Sequence, residues 1–485
     1  MKMDDHVTGA GESANIVLGF RISRGLFALL LMPLSTFAQN AEGPALGNVP
    51  GQTELHQVTG AAVQTICGQF IANGTNGALE ADLFARCSEM VQTARAVNPD
   101  EAGEGATDSS LSITAEQLNG ALQNVATEEA ATTGTFATET SAGQAKNVAS
   151  RLQALRGGAG GFTAGGLNIN IDGIALTSES LGLGDGYGQG GDSALTGQRV
   201  GAFINGSFNT GDKDATARED GFDFDGISLT GGVDYRFTES FVLGATVGYN
   251  SQEADFDTTV TVAGGSVEAD GFSVSGYGLY YFERFYLTGL VNIGTNENDL
   301  TRRIIIPTNT TGGADRTATA STDSDQLGIS VSGGIDLAPG KVTIEPFARV
   351  EYLTLDIDGY TESGAQGLDL AVNSQEVDSL VGTFGVNLAN SYSRGFGIVV
   401  PHGRLEINHQ FDDDSRNIVA RYVNDPRNNE FVAKTDPGDE NYLTLGLGAS
   451  ALFKGGTQAF LDYETLLGLE DITDHLLTLG IRHEF

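Results

Sequence analysis

Residues 227–237 read ISLTGGVDYRF, and their spacing decides the fold. Ile227, Leu229, Val233, Tyr235 and Phe237 share one parity, while Ser228, Thr230, Asp234 and Arg236 share the other. A period of two places successive side chains on opposite faces of an extended strand, so this strand has one apolar face and one small or polar face. The pattern recurs. Phe241, Leu243, Ala245, Val247 and Tyr249 stand against Gly244, Thr246, Gly248 and Asn250, and Phe285, Leu287, Val291 and Ile293 repeat it. Twelve such segments begin near Val200, Ile227, Phe241, Phe272, Phe285, Leu327, Val342, Val377, Gly397, Tyr442, Thr457 and His475.

Their connections alternate in length. Odd-to-even links are long and polar, as in Thr210–Asp225, Ser251–Gly271, Asn296–Asp325, Asp356–Glu376 and Asp412–Asn441, with Gly468–Asp474 a shorter last member. Even-to-odd links are tight, as in Thr238-Glu239-Ser240, Glu283-Arg284, Ala338–Lys341, Ser391–Phe396 and Lys454–Gly456. A water-soluble β-sandwich has no reason to sort loop lengths by parity, whereas an outer-membrane barrel has short periplasmic turns, longer extracellular loops and an even strand count. Lipid solvates no open strand edge, so the sheet must close. The expected fold is mainly β: a 12-stranded antiparallel transmembrane β-barrel over residues 198–485, preceded by a small disulfide-tied α-helical region. Two details strain the pattern. GFSVSGYGLYYF, the fourth segment, alternates poorly, which predicts a bulge near Gly276, and Pro346 and Pro401 belong near a rim or bulge because each removes a ladder donor.

Composition agrees. The 485 residues include 67 Gly, 25 Phe and 13 Tyr but only 10 Pro and no Trp, and 63 acids against 26 bases give a net charge of −37. Such a chain repels polyanions, which excludes nucleic acid as a partner. The longest apolar run, Leu26–Leu34, is far short of the roughly 20 residues of a spanning helix. Arg21 and Arg24 before it and Ser35–Ala38 after it read as a secretory signal peptide over residues 1–38. Export to an oxidising compartment predicts a disulfide between Cys67 and Cys87, which lie 20 positions apart. Around them Val63, Ile66, Cys67 and Phe70, then Leu79, Leu83, Cys87 and Met90, recur at helical spacing, so the bridge ties two helices. Further helices are expected at Thr114–Val125 and Gln144–Arg156 within a helical module spanning residues 39–156, and residues 157–197 form a Gly-rich connector.

The end of the chain carries the sharpest marker. Phe485 closes an alternating strand that includes Leu477, Leu479 and Ile481, with Arg482 and Glu484 on the opposite face. Together with Pro346-Phe-Ala-Arg349-Val-Glu351-Tyr352, Pro401-His-Gly-Arg404-Leu-Glu406, Asp462-Tyr463-Glu464 and the ending Gly480–Phe485, this resembles the translocator domain of autotransporters, the type V secretion proteins. The resemblance implies an outer-membrane location in a Gram-negative bacterium, with lipid, periplasmic chaperones and the barrel-assembly machinery as partners and Phe485 as assembly signal. It also implies a passenger at the cell surface, which here lacks the β-helical repeats of large adhesins. The alternative is a porin-like channel with the helical module as plug or periplasmic domain.

By strand parity Glu345, Arg349, Glu351, Arg404, Glu406, Asp462, Glu464, Arg482 and Glu484 face the lumen, and they are expected to form a polar cuff around a threaded segment, with Arg151 or Arg156 pairing with its acids. No cofactor, metal or catalytic residue is assigned, and the chain is not expected to be an enzyme. Gly191-Asp192-Ser193-Ala194 lies in the connector without a partner His, His409 and His475 belong to the rim, and Asp412-Asp413-Asp414 lacks the spacing of a Ca²⁺ loop.

Overall fold

The computed structural model describes residues 46–98, 109–127, 129–132, 134, 147–149, 151–152, 169–171, 174–176, 199–258, 263–337, 342–453 and 457–484, with only the backbone of Glu484. The signal segment, Arg156, most of the connector, Gly191–Ala194 and Phe485 lie outside the described residues, as does the Glu484 side chain.

Twelve antiparallel strands close into a barrel. They are β1 (Val200–Lys213), β2 (Phe222–Thr238), β3 (Phe241–Phe256), β4 (Gly265–Phe282), β5 (Phe285–Ile306), β6 (Ala314–Ile335), β7 (Val342–Ile357), β8 (Gln375–Asn390), β9 (Gly397–Gln410), β10 (Asn441–Phe453), β11 (Thr457–Leu467) and β12 (Ile472–Glu484). Each pairs with its sequence neighbour, and β12 returns to β1 through a register running from Ile472↔Lys213 to Glu484↔Gly201. Outward-facing Leu287, Val291, Ile293, Leu447, Leu479 and Ile481 are exposed to where lipid lies.

Several strands run further than alternation in the lipid band suggests, because their polarity reverses while their period continues. On β5 the outward residues change from Leu287, Val291 and Ile293 to Glu297 and Asp299, and the inward ones change from Asn292 to Leu300, Ile304 and Ile306. Thus β5 reaches Ile306 and β6 starts at Ala314, although Asn296–Asp325 reads as a loop. Outside the lipid the outer face meets water and the inner face meets protein. The outer face there sets Glu253 opposite Glu268, and Glu268 opposite Asp299. Two other stretches expected as polar loops contribute a separate four-stranded sheet from Tyr360–Thr361, Leu370–Val372, Asn417–Tyr422 and Phe431–Lys434.

No bulge occurs at Gly276: β4 keeps register with both neighbours, and the shift lies between Arg236 and Thr238 instead. Segment four alternates poorly because Tyr277, Leu279 and Tyr281 are large residues facing inward, where they join an apolar cluster inside the lumen, so both faces of this strand carry large side chains. Pro346 and Pro401 sit one residue beyond the ends of the β6–β7 and β8–β9 ladders, at the turn end, where no donor is missed.

Three helices lie at the loop end. Helix α1 (Glu54–Asn73) starts at a Thr53 capping box closed by His56 and stops at Gly74 with φ of 73°; α2 (Ala78–Val97) follows, and α3 (Ala115–Gln123) starts at a second box between Thr114 and Gln117. Cys67 and Cys87 are bonded, with Cα atoms 5.7 Å apart. Leu79, expected on the apolar face, is 48% exposed in the first turn of α2, beside the α1–α2 turn. Of the Gln144–Arg156 helix the described part, Asn147–Ala149 and Arg151–Leu152, is helical.

Candidate functional site: the occupied lumen and its cap

The helices have no self-contained core. The main apolar cluster takes half its residues from 46–131 and half from the barrel and its loops, with Ile66, Phe70, Met90 and Leu118 sharing it with Phe222, Phe256, Leu300, Ile304 and Tyr422. Polar contacts fix the same junction. Arg316 Nη1 donates to Asp82 Oδ2 at 2.5 Å, Gly313 N to Glu89 Oε2 at 3.0 Å, and the Tyr422 hydroxyl to Val125 O at 2.9 Å. Arg302 donates to Asn124 O at 2.9 Å and holds Glu362 with two nitrogens at 2.9 and 2.5 Å. The long strands thus build a wall around the helices, which close the loop end as a cap.

From the cap the chain enters the lumen. Gln375 Nε2 donates to Ala130 O at 3.2 Å near the loop end, and towards the turn end Asn147 Nδ2 donates to Thr230 Oγ1 at 3.2 Å while Asn205 Nδ2 donates to Asn147 O at 3.0 Å. Below this, Arg151 is 1% exposed and forms an ion pair with Asp234, its Nε 2.7 Å from Oδ2 and its guanidinium 5.1 Å from the Phe203 ring centroid. The Tyr277 hydroxyl donates to the same carboxylate at 3.1 Å. Val148 and Leu152 pack with Phe203, Tyr277, Leu279, Tyr286, Leu290 and Phe347, an apolar plug inside the lumen. Small wall residues make room for it: a Cβ at Gly244 or Gly385 would collide with the ring of Tyr277 or Phe347.

Five of the expected cuff residues, Arg349, Glu351, Arg404, Glu406 and Glu464, pair with one another, Glu345 and Asp462 pair with other wall residues, and Arg482 alone of the set lies beside the threaded segment's Arg151 among the described residues. Arg349 lies between Glu351 (2.7 Å) and Glu406 (3.0 Å), and Arg404 pairs with Glu406 (3.3 Å) and Glu464. Glu345 accepts from the Tyr286 hydroxyl at 2.8 Å and from Asn387 at 3.0 Å, and Asp462 contacts His402. Arg482 is inside, grouped with Arg151 and Asp234 around Gly201. The partner of Arg151 is therefore Asp234, not a cuff acid. Nothing in the sequence singles out Asp234, which is one of many polar residues on alternating strands and whose partner is 83 positions away.

Glu129, at the loop end and outside the membrane-spanning segments, is 8% exposed. Burial pushes its carboxyl up to about 8; Arg302 pulls it down, and Asp220 and Glu362 push it up. Because the folded value exceeds the unfolded one near 4.5, the folded state keeps a proton that the unfolded chain releases. Stability is complete below about 4.5 and falls as pH rises from there to about 8. Limited proteolysis of the cap between pH 5 and 9 should show increasing cleavage with pH, and Glu129→Gln should flatten that dependence. A Glu129→Gln profile as steep as that of the parent chain would show that other groups control it.

The architecture is that of an outer-membrane barrel with an occupied lumen. Residues 202–464, more than half of the chain, match the family described as Autotransporter beta-domain, and the chain belongs to that family. It therefore resides in the outer membrane of a Gram-negative bacterium, and its loop end is extracellular. Among curated relatives, esterase EstA of Pseudomonas aeruginosa and that of Pseudomonas putida are each 23% identical over 243 residues, covering 48% of this chain and 35% of theirs. The match thus spans about a third of their length. Similar solved structures include the translocator domain of autotransporter NalP from Neisseria meningitidis (20% identity, 60% of this chain and 90% of that one, TM-score 0.48). The β domain of the Bordetella autotransporter BrkA is 18% identical, with 59% of this chain and 100% of that one covered and a TM-score of 0.42.

Proposed function

We propose that the barrel passes its own N-terminal module, residues 39–156, to the cell surface, where the module folds back onto the outer rim as a cap, with Asn147–Ala149 and Arg151–Leu152 left in the lumen. The shared core carries this reading. In the periplasm the module would lack the barrel's half of its apolar cluster and would stay loosely folded, in a state that threads; at the rim Phe222, Phe256, Leu300 and Tyr422 complete it. The Cys67–Cys87 bridge closes only a short hairpin and is compatible with passage. The reading gives the chain no chemistry of its own. At the rim the half-buried His409 lies 3.0 Å from Asn441 and 3.8 Å from Glu440, and the half-buried His475 lies 2.9 Å from the Tyr463 hydroxyl.

The channel alternative places the module in the periplasm, and one experiment separates the two. A specific protease site inserted in the exposed Asn73–Gly77 turn should be cut in intact cells while the barrel survives. Cleavage only after the outer membrane is permeabilised would put the module inside and favour the channel.

A further inference from the structure

The sequence contains four Asn-Gly dipeptides, Asn73-Gly74, Asn76-Gly77, Asn119-Gly120 and Asn205-Gly206, and the fold treats them differently. In each, the main-chain nitrogen of the glycine can reach the preceding side-chain carbonyl carbon, because no Cβ stands in its way. That attack needs a free side-chain amide and a backbone free to turn. Asn205 is 2% exposed within the β1 ladder, with Nδ2 donating to Asn147 O at 3.0 Å. Asn119 is 6% exposed in α3 and donates to Pro50 O at 3.0 Å. Asn73 is exposed, but it ends α1 and donates to Gln69 O at 2.9 Å, and the nitrogen of its glycine donates to Phe70 O at 2.8 Å.

Asn76-Gly77 has none of these restraints. It lies outside both helices, in the exposed turn at residues 74–77. Its side-chain amide and the Gly77 nitrogen make no hydrogen bond among the described residues, and only the Asn76 main-chain nitrogen is held, by Glu80 Oε2 at 2.6 Å.

We infer that Asn76 is a self-modifying site, which deamidates without an enzyme and with water as the only co-reactant. Gly77 N gives its proton to hydroxide and bonds to Asn76 Cγ; the Cγ–Nδ2 bond breaks, and Nδ2 takes up a proton and leaves as ammonia. Water then opens the cyclic imide at either carbonyl and returns a proton to Gly77 N, so an asparagine and a water become an aspartyl or isoaspartyl residue and ammonia. The new carboxylate lies at the start of α2, whose cap residue Gly77 makes no side-chain hydrogen bond, and the helix dipole receives it favourably. The Cys67–Cys87 bridge and the core shared with the barrel hold the helices on both sides of the turn, so the cap keeps its fold. An exposed part of the cap thus gains negative charge with age, however the module reached its position.

The test is to age the detergent-solubilised full chain between pH 7 and 9 and to locate aspartyl and isoaspartyl residues by peptide mass spectrometry. Asn76 should convert about tenfold or more faster than the other three asparagines, at a rate that rises with pH. Urea with a reductant should remove the difference, because Gly follows Asn in all four and only the fold distinguishes them. Gly77→Ala should slow Asn76 about tenfold and leave the fold intact, since Gly77 is extended at φ 166° and a Cβ there meets nothing within 4 Å. Conversion of Asn73 at the rate of Asn76 in the folded chain, or an Asn76 that stays intact there while the unfolded chain converts, would overturn the site.

Discussion

Removing residues 46–152 is expected to convert a nearly closed barrel into a steadily conducting pore, with single-channel conductance rising by about tenfold or more because a helix about 10–12 Å across leaves the lumen. Interiors widen with strand number, from about eight strands, where wall side chains suffice, to about sixteen, where water fills the middle. Twelve lies between, so this lumen depends on what is threaded through it. The wall is lined with small residues such as Gly244 and Gly385, whose space the rings of Tyr277 and Phe347 use, and the centre is blocked by Val148 and Leu152. Those two residues are deleted together with the cap above them. Planar-bilayer recordings of the purified barrel and full chain give the comparison directly. Equal conductance would mean that the aromatic wall closes the lumen alone, and the plug would lose its role.

Much of this was legible in the sequence, because lipid and water impose a strict period on a strand. The twelve segments, the sorting of long and short links and the pairing of Cys67 with Cys87 follow from that period and from the compartment. The strand ends were harder. Past Thr295 on β5 the parity is unbroken, but outward residues become Glu297 and Asp299, so a reading tuned to an apolar outer face stops too early. The loops hid their content similarly: Leu370, Val372, Ile418, Tyr422 and Phe431 are thinly spaced among polar residues and acquire meaning only against α1–α3. The described part of the threaded segment, Asn147–Ala149 and Arg151–Leu152, was legible as helix, but its hold was not. Arg349, Arg404 and their glutamates stand out as charges in a barrel, yet they satisfy one another along the wall. The anchoring acid is Asp234, within the very stretch whose alternation reveals the fold.

That anchor should show a marked asymmetry on mutation. Asp234→Ala leaves Arg151, 1% exposed, without its carboxylate and with the Arg482 guanidinium beside it; a Cβ placed on Gly201 would lie 3.0 Å from Arg151 Nη2 and 3.3 Å from Arg482 Nη2. Stranding a buried charge in this way costs about 3–5 kcal/mol, enough to expel the segment from the lumen. Arg151→Ala removes the same ion pair, but Asp234 retains the Tyr277 hydroxyl at 3.1 Å and the nearby Arg482, so its loss should be less than half as large. The double variant strands neither partner and should be milder than Asp234→Ala alone, although the direct pair is gone in both. Urea-dependent protease sensitivity of the lumen segment, read beside bilayer conductance, measures all three. If Arg151→Ala proves as damaging as Asp234→Ala, and the double variant no better, the pair contributes its direct attraction and the penalty of the stranded guanidinium is not what fixes the segment.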